Sequence, residues 1–304
     1  MILACGEALI DMLPRQSTDG EDAFAPYPGG AVFNTAIGLG RLGVETGFLC
    51  GMSSDFLGDV LREALTASNV DHTPSPKIDA PCTVAFVKLV DGQATYAFYD
   101  ENSAMRVMTD VPQVSAEALF FGGISLVGDG CGAAYEALML REAPTRVTMI
   151  DPNIRPSFIA DEAAYRARIE AMMAAADIIK LSDEDLHWLQ GDGDLTDLAR
   201  GLVAKGAKLV CITEGAKGVK GYTASETVFV AAEKAEVVDT VGAGDTFNAG
   251  LLAGLDRAGC LTKDRVATLS AAEIRAALTL GVRTAAITVS RAGANPPWAH
   301  ELPE

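Results

Sequence analysis

Asp239-Thr240-Val241-Gly242-Ala243-Gly244-Asp245-Thr246-Phe247 is the stretch on which the reading of this chain turns. Two glycines around one small residue let main-chain N–H groups point toward a common centre. The apolar period Phe247, Leu251, Leu255 starts a helix there. A helix start attracts anions through its unpaired N–H groups and its dipole. Asp245 would repel a phosphate held there, so a carboxylate makes sense if it takes the proton of a hydroxyl attacking that phosphate. Taken alone, Gly-Ala-Gly-Asp is more often a capped turn. Partners elsewhere in the chain have to decide.

Working back from that stretch, short apolar runs alternate with helical periods, and polar residues collect where the runs end. Strand Leu209 to Thr213 opens into Glu214-Gly215-Ala216-Lys217-Gly218, where Thr213, Gly215 and Gly218 let main chain lie against a nucleotide. No G-x-x-x-x-G-K-[ST] string occurs, so this is not a P-loop. Strand Asp177 to Lys180 leads into a turn over Leu181 to Leu186, and Lys180 is a candidate for phosphate or an ordinary solvated lysine. Strand Arg146 to Ile150 runs into Asp151-Pro152-Asn153-Ile154-Arg155-Pro156. The planar fork of Arg155 suits sugar oxygens, a phosphate or a surface carboxylate.

At the other end, Ile2 to Gly6 reads as a buried strand with Glu7 and Asp11 beyond it. Asp11 is a candidate acceptor for a sugar hydroxyl, or a solvated loop residue. Pro28-Gly29-Gly30-Ala31-Val32-Phe33-Asn34 leads into a helix to about Gly43. The glycine pair permits close approach to a small polar ligand, and Asn34 offers it a donor and an acceptor. Gly38-Leu39-Gly40-Arg41-Leu42-Gly43 matches the dinucleotide string G-x-G-x-x-G, but it lies inside a helix and not between strand and helix. Close packing with Gly43 at the C-terminus explains it better. Cys82 to Val90 and Gln93 to Tyr99 read as a hairpin around Asp91-Gly92, carrying Tyr96 and Phe98; residues 12–28 leave the main sheet to join it. A final helix from Ala271 to about Ala286 passes into a strand-like run, Ala286 to Ser290.

Composition sets the outer limits. The 304 residues, 49% hydrophobic, can bury one large core. A net charge of -17 argues against general binding to nucleic acid or anionic membrane. Six scattered cysteines without a Cys-x-x-Cys pair, and 3 histidines, read as reduced core thiols rather than a metal cage. Residues 1–10 are apolar but short and already acidic, so neither signal peptide nor membrane span is expected, and a cytoplasmic location is.

The early Gly29-Gly30…Asn34 run and the late Asp239 to Phe247 run, in this order, resemble the ribokinase-like (PfkB) family of carbohydrate kinases; the likeness covers nearly the whole chain. It implies a single domain, 1–304, with a three-layer α/β/α sandwich around a mainly parallel sheet. A small discontinuous β lid would come from about 12–28 and 82–100. It implies ATP and Mg2+, with Asp245 as base and the N–H groups of Gly242, Ala243 and Gly244 as anion hole. Asp11, Gly29, Gly30, Asn34, Tyr96, Phe98 and Arg155 would face the sugar, and Lys180, Ser182, Thr213, Gly215 and Gly218 the nucleotide. Ser182-x-x-Asp185 stands where many members have Asn-x-x-Glu, which puts Asp185 on the magnesium side. Asp239 lies near the usual site of a monovalent cation such as K+. Asp151 to Pro156 and Lys180 to Leu186 look most like the bacterial fructokinase branch, implying D-fructose to fructose 6-phosphate. Ribose, 2-keto-3-deoxygluconate or a nucleoside are alternative acceptors, and a non-catalytic sugar-binding regulator is the alternative of another class. A lid of this kind can form a homodimer contact.

Overall fold

The computed structural model describes residues 1–90, 93–111 and 113–303. Its strands are β1 (Ile2–Cys5), β2 (Leu9–Gln16), β3 (Asp22–Gly29), β4 (Thr46–Leu49), β5 (Met52–Ser53), β6 (Val70–Asp71), β7 (Lys77–Ile78), β8 (Val84–Val90), β9 (Gln93–Tyr99), β10 (Ala118–Gly122), β11 (Val147–Asp151), β12 (Ile178–Ser182), β13 (Leu209–Thr213), β14 (Gly218–Tyr222) and β15 (Thr227–Ala231). The helices are α1 (Ala31–Arg41), α2 (Phe56–Ala67), α3 (Ala104–Val107), α4 (Cys131–Glu142), α5 (Glu162–Ala175), α6 (Asp183–Gln190), α7 (Leu195–Ala204), α8 (Ala243–Arg257), α9 (Lys263–Val266) and α10 (Ala271–Val289).

The main sheet has the order β15-β14-β13-β12-β11-β10-β1-β4-β6. It is parallel from β6 to β13, and its last two strands, β14 and β15, are antiparallel. β1, β4, β10 and β11 are buried at every residue, as continuous apolar strands covered on both faces must be. Helices α1, α8 and α10 pack on one another, while α4 to α7 lie along β10 to β14, which makes the three-layer α/β arrangement. The cysteines are all buried and unpaired.

α8 and α10 approach closely because Gly254 leaves no side chain between them; a Cβ there would stand 2.6 Å from the Ala277 Cα. The string Gly38 to Gly43 is likewise packing. Gly38 faces Ala249, and Gly43 (φ +82) ends α1 with its N–H on the Gly40 carbonyl and that of Val44 on the Leu39 carbonyl.

A second sheet, β3-β2-β8-β9, stands apart from the first. Residues 12–28 are therefore strand on both sides of a turn at Ser17–Glu21, with Pro26 and Pro28 tolerated because β3 is an edge. Asp11 sits inside β2, not in a loop after β1. The hairpin turn at Asp91-Gly92 lies outside the described residues.

Two further expectations need correction. Ala286 to Ser290 is not a strand: α10 continues to Val289, because Thr284 and Thr288 bond their hydroxyls to carbonyls one turn back and to Thr246 of α8. β-branched residues only mildly disfavour helix, and packing on α8 overrides them. Leu181 to Leu186 is not an open turn either. Ser182 caps α6, accepting the Asp185 N–H at 3.0 Å, while the Asp185 carboxylate accepts the Ser182 N–H at 3.4 Å.

Candidate active site

Strands β1, β10, β11, β12 and β13 end at one edge of the sheet. Cys5 pairs with Phe121, Phe121 with Ile150, Ile150 with Ile179, and Ser182 with Thr213. The residues closing or following these strands, Glu7, Gly123, Asp151, Ser182 and Thr213, therefore form a row. α8 directs its N-terminus at that row. Gly242 supplies the required left-handed turn (φ +78), and a Cβ on it would also meet Ala294.

Asp245 is the third residue of α8 and 8% exposed. The Asn34 amide donates to its Oδ2 at 2.9 Å, and the Thr35 hydroxyl to its main-chain carbonyl at 3.0 Å. Two segments distant in sequence are thus joined at the carboxylate. Burial pushes the Asp245 carboxyl up to about 7; Asp151 and Glu7 add to the rise, while Asn34 and Lys180 work against it. A carboxylate that titrates near neutrality is suited to take and release a proton.

Of the three amides expected to face an anion, Ala243 already donates to the Thr240 carbonyl at 3.3 Å. Gly242 and Gly244, and Asp245 itself, keep N–H groups without a protein partner among the described residues. Asp239 anchors the loop before them, accepting the N–H of Val241 at 3.0 Å and that of Gly293 at 2.9 Å.

Lys180 is 4% exposed and pairs with Asp151 Oδ2 at 2.9 Å. It is a buried ion pair, not a solvated strand-end lysine. Burial works against its charge, but Asp151, with Asp185 and Asp245 near, outweighs that and holds the ammonium above the usual lysine range. Glu7, also buried, accepts the N–H of Ala31 at 2.8 Å and of Ser125 at 3.2 Å, fixing the start of α1. Gly30 (φ +113) lies over Glu7, where a Cβ would stand 2.8 Å from its carbonyl oxygen.

On the second sheet, the Asp11 carboxylate lies where a Cβ on Gly29 would be. No hydrogen-bond donor reaches it among the described residues, and burial alone raises its carboxyl to about 6. Phe98 packs edge-on against Phe158 at 4.4 Å, beside Leu9, Ala85 and Ile124. The side chain of Tyr96 lies outside the described residues. Arg155 is exposed and donates to the Ile154 carbonyl at 3.0 Å.

On the nucleotide side, Thr213 ends β13 with its hydroxyl 3.4 Å from the Leu181 carbonyl, and Gly215 (φ +54) and Gly218 (φ +123) shape the following turn. Asp185 gives one oxygen to the Ile154 N–H at 3.1 Å and the other to Ser182. Asp185 and Asp239 thus each accept two main-chain N–H groups, one per oxygen, and among the described residues no three acidic, His or Cys side chains cluster as a metal cage. Asp151 and Asn248, which were not candidates from the sequence, lie here too, with Glu7, which was noted only as a polar residue beyond the first strand. Asp151 had a signal, a carboxylate at a strand end; Asn248, one turn on from Asp245, had only its helical spacing.

A family model described as pfkB family carbohydrate kinase matches residues 1–301. The chain is 56% identical over 279 residues to a fructokinase of Rhizobium leguminosarum bv. trifolii, covering 90% of this chain and 86% of that one. Among solved structures it is similar to a fructokinase with bound ATP from Xylella fastidiosa, with TM-score 0.86, 27% identity and 96% and 93% of the two chains covered. It is also similar to an aminoimidazole riboside kinase from Salmonella enterica, complexed with aminoimidazole riboside and an ATP analog, with TM-score 0.82, 26% identity and 96% and 94% covered.

Proposed function

Since the chain belongs to the pfkB family of carbohydrate kinases, we propose that it transfers the γ-phosphoryl group of ATP to D-fructose, giving fructose 6-phosphate, with Asp245 as the base. The observation that carries the assignment of the base is the buried Asp245 carboxylate, held by Asn34 at the open N-terminus of α8 and titrating at about 7.

Asn34 aims the carboxylate, and Asp11 with the main chain at Gly29 and Gly30 receives the sugar hydroxyls. The primary hydroxyl gives its proton to Asp245 as it attacks. Charge growing on the phosphoryl oxygens meets the N–H groups of Gly242 and Gly244 and the ammonium of Lys180. Thr213, Gly215 and Gly218 carry the rest of the nucleotide. Bound with the nucleotide, magnesium would neutralise phosphate charge, with Asp185 on its side and Asp239 near a monovalent cation; both carboxylates also pin main chain, Asp185 at Ile154 and Ser182 and Asp239 at Val241 and Gly293. The second sheet covers the sugar side as a lid. A cytoplasmic location fits six buried, unpaired thiols.

A nucleoside acceptor is the second reading, favoured by likeness to the Salmonella riboside kinase. ATP consumption measured with fructose, ribose, 2-keto-3-deoxygluconate and a nucleoside separates the two. The expected result is turnover on fructose, with kcat/KM falling as pH drops below about 7 because Asp245 must be ionised to act. Asp245→Asn is expected to lose about 10²- to 10⁴-fold in kcat. Full turnover by that variant removes the base from Asp245, and the absence of any sugar-dependent turnover leaves a sugar-binding regulator.

A further inference from the structure

Behind Asp245 lies a second buried charged cluster. Asp151, at the end of β11 and 2% exposed, takes two donors on a single oxygen, Oδ2: Lys180 Nζ at 2.9 Å and Asn248 Nδ2 at 2.7 Å. Its other oxygen accepts the Asn153 N–H at 3.2 Å. The carboxylate is therefore immobilised from three directions, by β12, by α8 and by its own loop.

Lys180 has three N–H bonds to give, and among the described residues only Asp151 takes one. An ammonium so deeply buried with donors left over is uncommon unless something polar is to meet it. Its position says where. A Cβ on Gly244 would be 3.3 Å from Lys180 Nζ, so the charge stands against the first turn of α8, one residue before Asp245. Asn248 carries the matching oddity. Only its nitrogen can face the carboxylate, and its Oδ1 is left buried without a donor. A side chain kept for packing alone would be apolar here.

We propose that Asp151 and Asn248 are positioning residues for phosphoryl transfer: Asn248 holds the Asp151 carboxylate, and Asp151 holds the Lys180 ammonium against the first turn of α8, beside the place where charge develops. This rests on the reading of the chain as an ATP-dependent sugar kinase. Lys180 then acts from inside the protein as a fixed cation, one that needs no reorganisation when the phosphoryl group moves. The charged groups around Asp245 are Asp151 from β11, Lys180 from β12 and Glu7 after β1, with Asn34 of α1 as neutral donor; Asp185 of α6 faces the Lys180 side.

The test uses the whole protein and four variants: Asp151→Asn, Lys180→Met, their combination, and Asn248→Ala, which leaves the ion pair in place but removes one of the three donors that hold its carboxylate. Melting temperature reports folding, and kcat and KM for sugar and ATP report the site. Loss of the fixed cation, or its misplacement, is expected to lower kcat on the order of 10²-fold in Asp151→Asn and in Lys180→Met, with sugar KM nearly unchanged. Because the two residues act as one unit, the double variant is expected to be no slower than the slower single one. Asn248→Ala is expected to lose kcat in the same sense but less. Wild-type kcat in the single variants, or losses that multiply in the double variant, overturns the proposal. If one ion-pair variant does not fold, Asn248→Ala decides: unchanged kcat overturns, lowered kcat at constant sugar KM supports.

A readout free of sugar keeps the two readings apart. The Asp245 carboxyl, followed by ¹³C NMR titration of the ligand-free protein, is expected to titrate lower in Asp151→Asn, which loses a neighbouring negative charge, and higher in Lys180→Met, which loses a positive one. Opposite shifts support the clamp even if wild type turns over no sugar, and shifts absent in both overturn it.

Discussion

At the scale of the residue, the chemistry proposed for Asp245 has a consequence for stability. Its folded-state carboxyl titrates at about 7, well above the usual aspartate value of about 4, chiefly because it is buried. The folded protein then holds a proton there more tightly than the unfolded chain does. That contribution to stability is full below about pH 4 and is lost as pH rises through 7. Ionised Asp245 is thus a strained element at working pH, worth on the order of a few kcal/mol at one pKa unit per 1.4 kcal/mol. Asp245→Asn keeps the shape without the charge, although the amide has to meet Asn34 with its oxygen. It is expected to melt above wild type at pH 8, with the gap closing as pH falls toward 4. Scanning calorimetry of both proteins at the two pH values checks this; equal melting temperatures at pH 8 would mean the carboxylate is better solvated than its burial implies. Gain in stability with loss of turnover is the usual trade at an active site.

At the scale of the element, Ser182 and Asp185 show how one pattern supports two meanings. The resemblance put Ser182 on the nucleotide and Asp185 on the metal side, whereas both sides of the pair are occupied as a capping box on α6. Ser182→Ala is expected to cost about 0.5–2 kcal/mol, the worth of an N-cap, and to leave the KM for ATP unchanged. Urea melts and ATP titrations of the variant check it; a several-fold rise in KM at full stability would put the hydroxyl on phosphate after all. The same scale shows why some elements were legible. Ala118–Gly122 and Leu209–Thr213 are continuous apolar runs, since strands covered on both faces carry nothing else. α8 could be placed from its glycines and its apolar period. The end of α10 could not, because Ile287, Thr288 and Val289 have strand propensity, while Thr284 and Thr288 tie this helix to Thr246 of α8. β2 and β3 were legible as an excursion, and as β structure only through the resemblance, since Pro14, Pro26 and Pro28 mask an edge hairpin. Lys180 with Asp151 is a pair between neighbouring strand ends, which topology creates and local spacing does not announce.

At the scale of the whole molecule, the proposed site lies where two sheets and one helix end converge. The main sheet supplies Asp151, Lys180 and Thr213 at one edge, α8 supplies Asp245, and the second sheet supplies Asp11 beside Gly29. These parts differ in how firmly they are held. The main sheet has helices on both sides, whereas the second has two open edges, β3 and β9, and exposed aromatic side chains at Phe24, Tyr27 and Tyr99. Small sheets with few buried contacts open more readily, so closure over a sugar should be felt there first. The half-buried Asp11 carboxyl, raised to about 6 with no donor near it among the described residues, is a group whose surroundings would improve on arrival of sugar hydroxyls. Fructose is therefore expected to slow amide exchange in β2 and β8, whose pairing runs from Ile10 with Val84 to Met12 with Phe86. A non-hydrolysable ATP analog alone is expected to protect the turn after Thr213 and the start of α8 instead. Hydrogen exchange read by mass spectrometry after each ligand distinguishes the two halves. Protection confined to the α8 end with both ligands would leave the second sheet outside the sugar site and return Asp11 to an ordinary strand residue. Protection of both sheets by sugar alone would mean that the Asn34–Asp245 bond, which joins α1 to α8 at 2.9 Å, carries closure from the sugar side to the nucleotide side before ATP binds.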